Sequence, residues 1–340
     1  MALLRTALLL LSCSLVASAT PANNNNNNMS SKVPRRTPFN NIQKRIIGGT
    51  AVSNNEYPFA VHLATTYGTE QFLCGGAIID NSYIVTAAHC MMNEDTNAVA
   101  EAGQVSVCYG SNNLNDQKCT TAREVTLHPD FSLQTLVNDI AIIQISPLSF
   151  GSSVSSIPIY TGKLPENTEL VTMGWGMTNS SDQNSLSNVL LSTDIEVGSP
   201  EVCSQAESSY SSADGPDVCT SNNLTPGQDS CQGDSGSPTI ISSGGKNYLA
   251  AVTSSGVNMD NPGSSECAAK DGLAFYTHVY YFVDFISNTT GLSTEDLSNG
   301  LSASAGSDTA TALTSSATSA YQPPLSLAAS ALLLLLSFFL

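Results

Sequence analysis

The chain has 340 residues, with 28 acidic side chains against 11 basic ones and a formal charge of −17. A chain this negative lacks the Lys and Arg that phosphates demand, which argues against nucleic acid as a partner. Its hydrophobic content of 41% is enough to build a core, which excludes wholesale disorder. The charge is uneven: six basic residues precede Ile46 and every acid follows it, so residues 46–340 carry five basic side chains against 28 acidic ones, or −23. A length of 340 admits two domains or one large all-β domain with appendages.

Residues 1–19 read as a secretory signal peptide. Arg5 precedes an apolar run from Ala7 to Leu11, and Ala17-Ser18-Ala19 supplies a small-residue cleavage site after Ala19. Residues 20–45 hold the Asn run Asn23 to Asn28 and most of the positive charge, and read as a disordered pro-segment with little apolar surface to bury. The domain expected over 46–287 alternates short apolar stretches with Gly, Asn, Ser and Asp turns. Phe59–Leu63, Gly76–Ile79, Ile84–Thr86, Ile140–Ile145, Leu170–Gly174 and Leu249–Thr253 are examples. Such spacing predicts an antiparallel barrel or sandwich, and one helix is expected over Tyr280–Ser287. Residues 288–322, rich in Ser, Thr and Ala, read as an O-glycosylated stalk. In the last segment, 323–340, the 16 residues from Leu325 to Leu340 are apolar apart from three serines. That is short of the about 20 residues a spanning helix needs. With small residues and a polar spacer upstream, it resembles a GPI-attachment signal, whose tail is removed. The expected localisation is secreted, at the cell surface through a lipid anchor, with no other membrane contact.

Cys13 leaves with the signal peptide, and eight cysteines remain. An even number in a secreted chain implies disulfides, although spacing alone permits 105 pairings. Cys108 and Cys119 suit a hairpin staple, because Gly110, Asn112, Asn113 and Asn115 lie between them. No CxxC pair or other zinc-type spacing occurs, so neither a metal nor a cofactor is expected. Asn179, Asn223 and Asn288 begin N-x-Ser/Thr sequons and are candidate glycan sites.

Three short islands carry chemistry: TAAHC (Thr86 to Cys90), NDIAII (Asn138 to Ile143) and GQDSCQGDSGSP (Gly227 to Pro238). They present His89, Asp139 and Ser235 in that order. A serine hydroxyl is a poor nucleophile until a base removes its proton; histidine does so near neutral pH, and a buried aspartate fixes its tautomer. Glycines around Ser235 permit a tight turn with exposed N–H groups. Whether the islands meet is a question only the fold answers.

With RIIGG (Arg45 to Gly49), HPDF (His128 to Phe131), GWG (Gly174 to Gly176), Ser254-Ser255-Gly256 and Phe275-Tyr276-Thr277, the islands make residues 46–286 resemble the chymotrypsin-like serine proteases of the trypsin group. The resemblance implies an all-β fold of two six-stranded antiparallel barrels with a C-terminal helix, a cleft between them, and protein or peptide substrates for a monomeric endopeptidase. It implies Ser235 as nucleophile, His89 as base, Asp139 as its orienting group, and the N–H groups of Gly233 and Ser235 as an oxyanion hole. Ser254 would help hold the aspartate and Gly256 would line the cleft. Asp229 matches the floor of a pocket selecting Lys or Arg, with Ala274 in its wall where trypsins carry Gly and Ser255 where the family usually places Trp. An activating protease would cut after Arg45, and the freed Ile46 ammonium would pair with Asp234. The implied disulfides are Cys74–Cys90, Cys203–Cys219 and Cys231–Cys267, leaving Cys108–Cys119 as an additional pair. A catalytically silent binding protein on the same fold, or a protease of non-tryptic specificity, are the alternatives.

Overall fold

The computed structural model describes residues 46–208 and 210–300. The expected signal peptide, the expected pro-segment with Arg45, the part of the expected stalk beyond residue 300 and the C-terminal segment lie outside the described residues. The first strands in chain order are β1 (Thr50–Ala51), β2 (Ala60–Tyr67), β3 (Glu70–Asp80), β4 (Tyr83–Thr86), β5 (Val105–Tyr109), β6 (Lys118–Thr121), β7 (Glu124–Leu127) and β8 (Ala141–Gln144). After them come β9 (Glu169–Gly174), β10 (Leu191–Glu196), β11 (Asp217–Ser221), β12 (Pro238–Ser243), β13 (Lys246–Asn258) and β14 (Gly272–His278). Alternation builds several of them. In β10, Leu191, Thr193 and Ile195 are buried while Asp194 is exposed, the period of a strand with one face on a core.

Each sheet counts seven strands by hydrogen bonding, yet each closes as a barrel of six. The first has the order β6-β5-β2-β3-β4-β8-β7, antiparallel throughout. Its two edges, β6 and β7, are halves of one chain run interrupted at Ala122-Arg123: β6 sets Cys119 opposite Cys108, and β7 sets Val125 opposite Ile143. The second has the order β1-β10-β9-β12-β13-β14-β11. Two-residue β1 is an outer addition. The other six close where Val197 bridges Thr220 and the Gly198 N–H donates to the Cys219 carbonyl at 2.9 Å. Closure removes the exposed sheet edges that invite further pairing. The expected two-barrel architecture is therefore present. Val61, Leu63, Ile78, Ile84, Ile140 and Ile142 fill the first barrel, and Leu170, Ile195, Val218, Ala251 and Tyr276 fill the second.

Short α1 (Pro200–Cys203) begins at the Ser199 cap. The expected C-terminal helix starts as a 3₁₀ turn over Val279–Phe282 and continues as α2 (Val283–Thr290), which stops at Gly291 with φ +75°. Packing runs past the boundary expected at residue 287. A further helix, α3 (Thr294–Asn299), opens on a reciprocal cap between Ser293 and Asp296, and its Leu297 is buried. The Leu297 carbonyl accepts the Ile159 N–H at 2.8 Å. Ser/Thr-rich composition hides this helix because its cap residues are of the same types as a stalk's. The HPDF histidine is structural: His128 lies 5.4 Å from the Phe282 ring and 5.0 Å from Phe285, fastening the C-terminal helix to the first barrel.

Four disulfides join Cys74–Cys90, Cys108–Cys119, Cys203–Cys219 and Cys231–Cys267, the pairs expected. No helix among the described residues is long and apolar enough to cross a membrane. Asn179, Asn223 and Asn288 are exposed.

Candidate active site

The three islands converge at the ends of strands. His89 follows β4 in a single 3₁₀ turn, and Asp139 lies two residues before the start of β8, which pairs with β4. Thr86 opposite Ala141 thus places residues 89 and 139 side by side. His89 Nδ1 lies 2.7 Å from Asp139 Oδ2, and the His89 backbone N–H donates to Asp139 Oδ1 at 2.9 Å. From the second barrel, the Ser254 hydroxyl donates to Asp139 Oδ2 at 2.6 Å, and the Thr277 hydroxyl donates to the Asp139 carbonyl at 2.9 Å.

Asp139 is 1% exposed. Burial works to raise its pKa, but the His89 charge and hydrogen bond, then Ser254, outweigh it and hold the carboxyl below its ordinary value. Burial likewise works to lower the His89 pKa; Asp139, followed by the charge of Glu94, leaves it raised. The imidazole is therefore held in one orientation by a carboxylate that stays ionised. Cys74 and Cys90 also lie near His89, but both sulfurs are spent in their disulfide.

The Ser235 turn docks on the same strand ends. Its carbonyl accepts the Gly75 N–H at 2.8 Å, and the Gly236 N–H donates to the Thr253 carbonyl at 2.7 Å. Gly236 has φ +72°, and a Cβ there would strike Thr86 Oγ1, the Gly75 carbonyl and the Ala87 nitrogen. Only glycine lets the turn lie this close to the strand that delivers His89. Ser235 Oγ makes no hydrogen bond among the described residues; such contacts are often long before substrate binds. The N–H groups of Gly233 and Ser235 likewise donate to no acceptor among the described residues. Two free donors beside a hydroxyl can receive a developing oxyanion.

Asp234 sits beneath this turn, fully buried. Its Oδ1 accepts the Gly176 N–H at 2.7 Å and its Oδ2 accepts the Cys231 N–H at 2.9 Å. A Cβ on Gly174 or Gly176 would collide with this carboxylate, which is the physical reason for the two glycines of GWG. Burial, aided by the Asp229 charge against the relief from these N–H groups, pushes the Asp234 carboxyl up to about 7. Ile46 is buried, and the Ile47 carbonyl accepts the Asp229 N–H at 3.2 Å.

A cavity of about 170 Å³ opens beside Ser235, with Asp229, Ser254, Gly256 and Ala274 in its walls. Gly256 lies opposite Ala274 across β13 and β14, which settles the register through this wall. Asp229 is 7% exposed, and burial raises its carboxyl. Residues that sequence reasoning missed hold it. Asn222 Nδ2 donates to Asp229 Oδ2 at 3.0 Å and to the Ala269 carbonyl at 3.1 Å, and the Ala268 N–H donates to Asp229 Oδ2 at 3.2 Å. The only hint in the sequence is Asn222's place beside a sequon, which points outward rather than in.

Orienting carboxylate, imidazole, serine turn, free N–H pair and walled pocket define a hydrolase built around a serine. The comparisons narrow this. The family model Trypsin matches residues 46–286, and the chain belongs to the trypsin family. It is similar to Serine protease 1 of Homo sapiens, 31% identical over 262 residues, covering 74% of this chain and 92% of that protein. Serine protease 1 of Rattus norvegicus is 29% identical over 250 residues, covering 72% and 89%. Trypsin delta of Drosophila erecta is 34% identical over 216 residues, covering 62% and 78%. The protein is a serine endopeptidase.

Proposed function

We propose that this endopeptidase cleaves after Lys or Arg, through an acyl-enzyme formed on Ser235, and that it is made as a zymogen cut after Arg45. His89 takes the Ser235 proton as the hydroxyl attacks the scissile carbonyl and later returns it to the leaving amine, while Asp139 stabilises the imidazolium. The Gly233 and Ser235 N–H groups receive the oxyanion. The observation that carries the mechanism is the His89–Asp139–Ser254 hydrogen-bond chain beside the Ser235 turn.

Specificity rests on Asp229, a buried carboxylate in the pocket wall without a cation among the described residues. A guanidinium or ammonium offsets its desolvation where a neutral side chain does not. The Ala274 methyl narrows the pocket and favours Lys over Arg. For activation, the support is buried Ile46 and fully buried Asp234, whose partners are N–H groups alone. A new ammonium at Ile46 supplies the missing charge. Secretion and a GPI anchor follow from the two terminal segments, the natural substrates being extracellular proteins or peptides. Release of the protein from cells by a phosphatidylinositol-specific phospholipase tests the anchor.

The catalytic test compares arginyl, lysyl and phenylalanyl peptide amides before and after cleavage following Arg45. Turnover of the basic substrates only after cleavage, abolished by Ser235→Ala, is expected. Preference for the phenylalanyl amide overturns the role of Asp229, and turnover surviving Ser235→Ala overturns the mechanism.

A further inference from the structure

A second cavity, of about 220 Å³, lies across the Ser254–Val257 segment from the first, and those four residues line both. Leu136 and Val137 form one wall, from the loop preceding Asp139; Val257 and Phe275 form another. Val137 is 50% exposed, an apolar side chain facing open space. Two acids belong to this lining, Asp217, the first residue of β11, and Glu207. Asp217 makes no ion pair among the described residues. The charges acting on it, from Glu207 and Asp139, are negative, and with burial foremost they push its carboxyl up to about 6. Ser255 supplies only a hydroxymethyl group to the partition between the two cavities, so the space beside the substrate path stays open.

We propose that this cavity binds a second basic side chain of the substrate, upstream of the residue before the scissile bond, with Asp217 as the determinant of that preference. A lysine suits the chemistry: its apolar stem lies along Leu136, Val137, Val257 and Phe275 while its ammonium meets Asp217. Continuity with the Ser254–Gly256 wall makes the occupant part of the same peptide rather than a separate ligand. The substrate class is then a peptide with two basic residues close together. This rests on the endopeptidase cleft described above.

The test uses the enzyme cleaved after Arg45 and peptides with Arg before the scissile bond. Lys or norleucine, which keeps the stem and lacks the ammonium, is placed at the second, third or fourth residue upstream. A kcat/KM ratio of Lys to norleucine of about tenfold is expected at one of these positions. The ratio should fall to about one in Asp217→Asn and in Ser255→Trp, the latter filling the cavity. Equal cleavage of the Lys and norleucine peptides at all three positions, or an unchanged ratio in Asp217→Asn, overturns the proposal. Fluorescent versions of the same peptides titrated into Ser235→Ala separate the two ideas. An Asp217-dependent difference in Kd upholds the cavity even if no arginyl peptide is cleaved, and equal Kd values overturn it.

Discussion

Asp234→Asn in the uncut chain gives a stability change whose sign depends on pH. The Asp234 carboxyl titrates at about 7 against an ordinary 3.8, burial being the main cause. An acid whose folded pKa is raised binds more protons folded than unfolded between these values, so its contribution to stability is lost as pH rises from about 4 to about 7. At about 1.4 kcal/mol per pH unit, the penalty at pH 8 is about 4 kcal/mol. Asparagine removes the charge and keeps one oxygen to accept from either the Gly176 or the Cys231 N–H. The poorer fit of the other N–H costs about 1 kcal/mol. Urea denaturation of the uncut Ser235→Ala protein should therefore show Asp234→Asn stabilising by about 3 kcal/mol at pH 8 and destabilising by about 1 kcal/mol at pH 3. After cleavage following Arg45 the same substitution should destabilise, because it leaves the Ile46 ammonium without its partner. Loss of stability on Asp234→Asn in the uncut chain at pH 8 would refute the reasoning.

Three further outcomes follow from the same geometry. Because Asp139 and Glu94 hold the His89 pKa above 6.5 against burial, the acid limb of kcat/KM should lie above pH 6.5; Glu94→Gln should move it to lower pH in a pH–rate profile. Gly176→Ala drives a methyl onto the Asp234 carboxylate and should cost about 2 kcal/mol or more in denaturation, with activity lost in parallel. Burial lowers the His62 pKa to about 4, its ring lying 6.0 Å from Trp175. Stability should therefore fall as pH drops from about 6.5 to 4, by about 3 kcal/mol from this group, and His62→Phe should flatten that slope in an acid titration.

Much of the site was legible because its chemistry needs particular residue types in short runs. TAAHC, NDIAII and GDSGSP each carry one reactive group with the small residues that let it approach the others. The turn glycines were visible too: a collision with Thr86 or Asp234 forbids a side chain there, so a tertiary requirement survives in the letters as glycine. The apolar runs Ile84–Thr86, Ile140–Ile145 and Leu170–Gly174 announced β4, β8 and β9. Helix α3 was missed because Ser, Thr and Asp serve a cap and a solvated stalk equally well, and a single leucine decides between them.

What the letters determined by themselves was an inventory: a nucleophile, a base, a carboxylate, eight cysteines and a string of short strands. Tertiary structure decided which of these touch. Strand pairing sets β8 beside β4 and so brings Asp139 to His89, while the folding of β13 and β14 delivers Ser254 and Thr277 to the same aspartate. It also chose Asn222 and Ala268 to hold Asp229, and set Asp217 in a cavity behind Ser255. None of these pairings has a sequence period to reveal it, because contacts between strands from distant parts of the chain depend on register and twist, which no single segment encodes.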